Sequence, residues 1–273
     1  MYRATKGTRV DDLMVGLDAE IIAEPGIAMS FKDHFSDASS AYRNYRPGYP
    51  PELFAYLADI APSLHSAWDC ATGSGQAACR LAQHFRRVTA TDASENQIQN
   101  AQPHPNVLYK VEKAEKTSFA DQSLDLITVA QALHWFSLPE FSREVQRVLK
   151  PGGILAVWTY GLSRITPAID AIVNQLYGPT LEPYWPEERT QVERGYAEAT
   201  FPLKQIAAPE FKMQSLWTAN QLLNYLRTWS AVKRFEEANK HNPVTEIADS
   251  VNKLWDTKVQ LVSWPLTVKI WST

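Results

Sequence analysis

The sequence has few cysteines, no long apolar run and little net charge. Cys70 and Cys79 are the only cysteines among 273 residues, so neither a disulfide framework nor a cysteine-rich metal site is indicated. No apolar run is long enough to cross a bilayer. The net charge is −3 with acids and bases interspersed, so no basic face for a nucleic-acid backbone is expected. We therefore predict a soluble, cytoplasmic protein that binds no metal, membrane or nucleic acid.

The chain is large and apolar enough to form an extensive core. Apolar residues make up 45% of the sequence, which is ample for a packed interior. Residues 1–28 lack an arginine-flanked apolar segment with a cleavage pattern, so they do not resemble a signal peptide. We interpret them as an N-terminal extension.

A glycine turn dominates the sequence pattern. It lies in residues 68–78, WDCATGSGQAA, between a short predicted strand and a helix. Gly73 and Gly75 leave bare backbone against which a ligand can lie, next to the unpaired N–H groups of a helix N-terminus. Residues 88–92 then form a second predicted strand that ends in Asp92, where such folds hydrogen-bond a ribose. This βαβ unit indicates a nucleotide-shaped pocket.

The rest of the chain extends the same alternation. Residues 107–111, 124–130 and 154–159 read as three more strands separated by helical patterns, and residues 211–217 and 266–270 as two late strands. The fold class predicted is α/β, a doubly wound, mostly parallel seven-stranded, Rossmann-like sheet with a helical cap inserted in the C-terminal half.

Three helix starts are marked by capping residues. Ser94 precedes Gln97 at the spacing of a capping box, and Thr218 precedes Gln221 in the same way. Thr166 stands directly before a proline, which favours the first position of a helix. Each predicts a helix that begins at the following residue.

Taken together, these motifs resemble the class I S-adenosylmethionine-dependent methyltransferases. Within that class, the motifs are more specifically similar to the small-molecule, type 11 branch that includes trans-aconitate methyltransferase. It rests on YRPxYP at residues 45–50, the glycine turn, Asp92, Glu115, ALHWF at 132–136 and LKPGG at 149–153. Ala71 departs from the pattern, since it stands where the commonest first motif has a glycine.

The resemblance implies a cofactor site for S-adenosyl-L-methionine, with S-adenosyl-L-homocysteine as product. Asp92 would accept hydrogen bonds from the ribose hydroxyls, and Glu115 would lie at the adenine edge. Arg46 would meet the cofactor carboxylate. The complete implied set is Tyr42, Arg46, Asp69, Ala71, Gly73, Gly75, Asp92, Ala93, Ala114, Glu115 and Gln131.

The acceptor site is less defined by the sequence. Methyl transfer from a sulfonium needs mainly alignment and exclusion of water. His134 is the candidate catalytic base for a hydroxyl acceptor, whereas a carboxylate needs no base. His134 and Trp135 are the candidate substrate residues, although a histidine in this setting is as readily a packed loop residue. A small molecule, with a carboxylate as one possibility, is the expected acceptor.

Two other functions are compatible with the glycine turn. One is an NAD(P)-dependent oxidoreductase, which shares the glycine fingerprint and the acid after the second strand. The other is a non-catalytic protein that binds S-adenosylmethionine. The predicted domains are a cofactor-binding core with an N-terminal lid over residues 29–161, and residues 162–273 as substrate cap plus the last two strands. A monomer or homodimer is expected.

Overall fold

The structure is a computed structural model that describes residues 45–256 and 258–273. The predicted N-terminal extension and the predicted site residue Tyr42 lie outside the described residues. The domain boundaries at residues 28 and 161 stay predictions.

The described residues form one mixed sheet of eight strands. The strands β1 to β8 span Ser66–Cys70, Arg87–Asp92, Val107–Val111, Leu124–Ala130, Leu149–Tyr160, Lys204–Ile206, Lys212–Trp217 and Gln260–Ser272. Their order in the sheet is β3-β2-β1-β4-β5-β8-β6, and β7 pairs with β8 beside this path. Strands β1 to β5 are parallel, and β8 runs antiparallel to its neighbours. The doubly wound, mostly parallel fold is thereby confirmed.

The strand order reverses at the pair β1 and β4, which lie side by side in the middle of the sheet. Open α/β sheets bind ligands in the crevice at the carboxyl ends of such strands. The glycine turn follows β1 at this point.

The antiparallel edge differs from the prediction in two respects. The three-residue strand β6 was not predicted, because so short a segment shows no alternation. The last strand is also longer than predicted and begins at Gln260. Its residues 260–265 pair with β7, and residues 266–272 pair with β5. The change of partner follows Pro265, which has no N–H for a sheet hydrogen bond.

Nine α-helices lie in the described residues: one before β1, three between the parallel strands and five in the cap. The first four, α1 to α4, span Pro51–Ile60, Gln76–Leu81, Glu95–Gln99 and Leu138–Val148. The cap helices α5 to α9 span Pro167–Gln175, Arg189–Glu193, Ala219–Arg227, Ser230–Asn239 and Pro243–Leu254. Short 3₁₀ turns occupy Leu133–Trp135 and Glu182–Tyr184, and one π turn occupies Leu176–Thr180.

The predicted helix caps are confirmed. The Ser94 hydroxyl accepts from the Gln97 N–H, and the Thr166 hydroxyl caps α5 in the same way. Thr218 and Gln221 form a reciprocal capping box at the start of α7. Such caps satisfy N–H groups that the first helical turn leaves unpaired.

Apolar side chains fill both faces of the sheet. Trp68 of β1 lies in a cluster beneath α4, and Trp158 of β5 lies in a cluster beneath α1 and α2. The cap helices pack around an apolar cluster of their own. Within the described ranges, no helix combines the length and apolar character required to cross a membrane.

Candidate active site

The glycine turn after β1 adopts a backbone that few residues favour. Ala71, Gly73 and Gly75 all have positive φ, at 53°, 55° and 82°. The Thr72 N–H donates to the Thr91 carbonyl oxygen at 2.9 Å, which ties the turn to the end of β2. Positive φ costs a residue with a Cβ about 1 to 2 kcal/mol, so the Ala71 backbone is strained.

The two glycines are required for different reasons. A Cβ on Gly75 would lie 2.3 Å from the Tyr109 hydroxyl, which donates to the Gln102 carbonyl oxygen at 2.6 Å. Among the described residues, a Cβ on Gly73 would meet Gln97 Oε1 alone, at the ordinary contact distance of 3.9 Å. Packing against Tyr109 therefore excludes a side chain at Gly75. The described neighbours of Gly73 leave room beside its backbone, as a ligand lying against it requires.

Asp92 links the end of β2 to this turn. Its Oδ2 accepts from the Gly73 N–H and its Oδ1 from the Ser94 N–H, both at 2.9 Å. These bonds orient the carboxylate at the carboxyl edge of the sheet. Ala93 follows directly and is half-buried.

Asp69 supports the turn from below. Its side chain is buried, and it accepts the Thr72 and Thr128 hydroxyls at 2.5 and 2.8 Å. Burial raises the pKa of Asp69 to about 6, although the two hydroxyl bonds oppose that shift. Asp69 thus holds the turn through the Thr72 side chain and joins it to β4 through Thr128.

The acid after β3 is held at the start of a helix. Glu115 Oε1 accepts from the Ser137 N–H at 3.0 Å, one residue before α4. Ala114 beside it is buried. This arrangement brings the segment after β3 to the carboxyl edge, near the ends of β1 and β4.

A charged network that the sequence did not reveal fixes this segment. Arg147 of α4 donates to both oxygens of Glu144, at 2.7 and 2.9 Å, and to Asp121 at 2.8 Å. Glu144 Oε1 also accepts from the Thr117 N–H at 2.8 Å. The loop that carries Glu115 is therefore tied to α4 at several points.

Gln131 ends β4 with its side chain turned toward β5. Its φ is 58°, and its Oε1 accepts from the Tyr160 N–H at 3.1 Å and from the Thr159 hydroxyl. These bonds hold the ends of β4 and β5 together at the carboxyl edge of the sheet.

His134 lies in the 3₁₀ turn after β4. Its Nδ1 is 2.9 Å from the Tyr196 hydroxyl, and its ring centroid lies 4.6 Å from that of Trp135. Burial, and secondarily the positive charge of Arg189, lowers the pKa of His134 to about 4. The imidazole is therefore neutral at pH 7, and its low basicity makes it a weak general base. Tyr196, far along the chain, could not be predicted as its partner.

A cavity of about 390 Å³ lies among the cap elements, the end of β5 and the middle of β8. Thr159, whose hydroxyl bonds Gln131, forms part of its wall. Charged side chains from the cap also line it, among them Arg164, Arg189 and Glu193. In the described part of the chain, no group of three or more His, Cys, Asp or Glu residues is placed to hold a metal ion.

The comparisons with known proteins agree with this geometry. The family described as methyltransferase domain matches residues 68–157, from β1 into β5. A protein of Dictyostelium discoideum named as a methyltransferase is 34% identical over 231 residues, which are 83% of this chain and 88% of that one. This chain belongs to the class I S-adenosylmethionine-dependent methyltransferases.

Two further proteins are similar to this methyltransferase over most of its length. A solved structure from Anaeromyxobacter dehalogenans, described as a type II methyltransferase, is 41% identical, with a TM-score of 0.78 over 84% of this chain and 98% of that one. An uncharacterized methyltransferase of Schizosaccharomyces pombe is 25% identical over 85% of this chain and 92% of its own. The expectation of a methyltransferase is confirmed, and the alternative of an NAD(P)-dependent oxidoreductase is wrong.

In this methyltransferase, Arg46 connects the N-terminal loop to the cap. Its guanidinium donates to the Tyr160 hydroxyl at 2.9 Å and to the Thr228 carbonyl oxygen at 3.4 Å. The same group lies 5.5 Å from the ring centroid of Tyr225. The loop therefore contacts both the end of β5 and the cap, as a lid over the carboxyl edge would.

Proposed function

We infer that this methyltransferase transfers the methyl group of S-adenosylmethionine to an oxygen of a small molecule, with a carboxylate as the acceptor group. The observation that carries the cofactor half is the joint placement of Gly73 and Asp92 at the strand-order reversal. The acceptor half is supported by the placement of His134 between Tyr196 and Trp135, where burial lowers the pKa of its imidazole.

The residues at the carboxyl edge fit the parts of the cofactor. Asp92 and Ala93 suit the ribose and one face of the adenine, because a carboxylate oxygen accepts hydroxyl hydrogen bonds well. Ala114 and Glu115 suit the opposite edge of the adenine. The bare backbone at Gly73 suits the ribose and methionine portion.

Three further residues would shape the methionine end. Arg46, with Tyr42 from the same loop, would bind the cofactor carboxylate, a role that a guanidinium fork fits well. Gln131 would stand beside the transferred methyl group, where its bonds to β5 hold it still. Asp69 would act from beneath, by holding the turn in shape.

The cofactor supplies a methyl group that its sulfonium already activates. The acceptor oxygen forms the new O–C bond as the S–C bond breaks, and the bonding electron pair remains on sulfur. A carboxylate loses no proton in this step, so the enzyme needs no general base. The protein contributes alignment and exclusion of water.

His134 would then shape the acceptor site. Its bond to Tyr196 and its contact with Trp135 fix the imidazole in the turn after β4. A neutral imidazole in that position can donate one N–H hydrogen bond to a carboxylate.

Calorimetric titration of the purified protein with S-adenosylhomocysteine, with NAD in parallel, tests the cofactor site. Micromolar binding of the first alone is expected. Release of S-adenosylhomocysteine in the presence of carboxylic acids, but not of the corresponding alcohols, tests the acceptor class. Binding of the cofactor product without turnover of any acid or alcohol would instead support the non-catalytic alternative.

A further inference from the structure

Arg189 is held rigidly at the wall of the cap cavity. Its guanidinium carbon lies 5.0 Å from the ring centroid of Trp185 and 5.4 Å from that of Tyr177. Its Nε donates to the Tyr177 hydroxyl at 3.0 Å. Contacts with two aromatic rings and one directed hydrogen bond orient the guanidinium with little remaining freedom.

The positive charge of Arg189 has no carboxylate partner among the described residues. Glu193, one turn along α6, accepts a hydrogen bond from the Tyr177 hydroxyl instead. Within the described ranges, the terminal guanidinium nitrogens donate to no protein group. An oriented guanidinium with two open donor groups is suited to the bidentate binding of a carboxylate.

The cavity extends from Arg189 to the end of β5. Arg189 and Thr159 both line it, and the Thr159 hydroxyl bonds the side chain of Gln131 at the end of β4. Its volume, about 390 Å³, is in the range of small-molecule sites. The positive charge of Arg189 also disfavours protonation of His134, which places the two residues in one electrostatic environment.

A carboxylate bound by Arg189 would be a poor methyl acceptor. A guanidinium bound to a carboxylate withdraws electron density from its oxygens, which weakens them as nucleophiles toward the sulfonium methyl. The reacting oxygen must instead approach the ends of β4 and β5. A single acceptor can satisfy both requirements when an anionic group and a nucleophilic oxygen stand at opposite ends.

We propose that Arg189 is the specificity residue that binds a non-reacting carboxylate of the acceptor. This rests on the proposed function and narrows its substrate class to small molecules with an anionic group besides the methylated oxygen. The product accordingly keeps one negative charge.

Dicarboxylates and matched monocarboxylates test this assignment. Glutarate, adipate and pimelate would be compared with pentanoate, hexanoate and heptanoate, by calorimetry on the protein loaded with S-adenosylhomocysteine and by product analysis after turnover. Dicarboxylates are expected to bind at least about tenfold more tightly than monocarboxylates, since hydrogen bonds to charged groups are strong. The expected product is the monomethyl ester without diester.

Substitutions at Arg189 distinguish a role in binding the acceptor from a role in stabilising the fold. Arg189→Gln should raise the KM for dicarboxylates about tenfold or more and leave the KM for S-adenosylmethionine unchanged, whereas Arg189→Lys should retain part of the preference. Arg194→Gln is the matched control, because Arg194 is exposed and pairs with Glu198 at 2.7 Å. The assignment of Arg189 would be wrong if Arg189→Gln weakened the binding of mono- and dicarboxylates equally. It would also be wrong if the wild type formed the diester, or if the loaded wild type bound none of the dicarboxylates. Failure of S-adenosylhomocysteine to bind would overturn the proposed function instead.

Discussion

The Gly73 N–H donates to Asp92 Oδ2 at 2.9 Å, so the acid that ends β2 is bonded directly to the turn that follows β1. The shape of the turn and the orientation of the carboxylate are therefore set together. Replacement of either residue should affect both the stability of the fold and the proposed cofactor site.

Replacement of Asp92 by Ala should weaken S-adenosylhomocysteine binding more than tenfold, because hydrogen bonds to a charged group contribute about 1.5 to 3 kcal/mol. Calorimetry on the folded variant measures the change. Asp92→Asn is the control, since the amide keeps one acceptor oxygen and should lose less. Unchanged affinity in a folded Asp92→Ala protein would remove Asp92 from the site.

The two glycines of the turn should respond differently to alanine. Gly75→Ala should lower the free energy of unfolding by about 1 to 3 kcal/mol, because its Cβ meets the Tyr109 hydroxyl and its φ is positive. Gly73→Ala should lower the free energy of unfolding by about 1 to 2 kcal/mol, because of the positive φ alone. The same change should strongly weaken S-adenosylhomocysteine binding. Tyr109→Phe should restore part of the loss in Gly75→Ala and none in Gly73→Ala. Denaturant unfolding and calorimetry provide the two readouts.

Ala71→Gly should stabilise the protein. Relief of the positive φ gains about 1 to 2 kcal/mol, and the greater backbone entropy of glycine removes about 0.5 to 1 kcal/mol, which leaves a small net gain. Ala77→Gly, within α2, is the matched control and should destabilise, since glycine disfavours a helix interior. A lower melting temperature for Ala71→Gly would contradict the assigned strain.

Asp69 should make stability fall as the pH rises. Its pKa is about 6 in the folded protein and 3.8 in the reference state, so the folded protein binds the proton more tightly. The stabilisation is complete below pH 4 and is lost through pH 6, with a size of about 3 kcal/mol at most. Asp69→Asn should therefore gain stability relative to the wild type between pH 4 and pH 7 in denaturant titrations. A difference independent of pH would contradict this.

Opposite to the effect of Asp69, the titration of His134 should make stability rise with pH. Its pKa falls from 6.5 to about 4 on folding, so the unfolded chain binds more protons between these values. Stability should therefore rise with pH from 4 to 6.5, and His134→Gln should remove that dependence. With a carboxylate acceptor, kcat/KM should show no inflection that depends on His134, either near pH 4, where the folded imidazole titrates, or above it. An inflection present in the wild type and absent from His134→Gln would indicate that His134 is a base.

The sequence predicts the parts of this methyltransferase that depend on local pattern. The apolar run of β4 and the cap at Ser94 each depend on neighbours in the chain, and both are confirmed. The contacts of Gly75 with Tyr109 and of His134 with Tyr196 join distant segments, and no local pattern reveals them. The roles of the cofactor residues stay predictions, although the structure brings Gly73 and Asp92 into contact.

The length of β8 has a mechanical consequence. One continuous strand is hydrogen-bonded to the core through β5 and to the cap edge through β7, on either side of Pro265. A swing of β7 away from the core would have to bend or unzip this shared strand, which breaks ladder hydrogen bonds. The strand therefore acts as a fixed wall on one side of the cavity. Pro265 and Thr267 of β8 form that side, so the room available to the acceptor there is set by the sheet and not by the position of the cap helices.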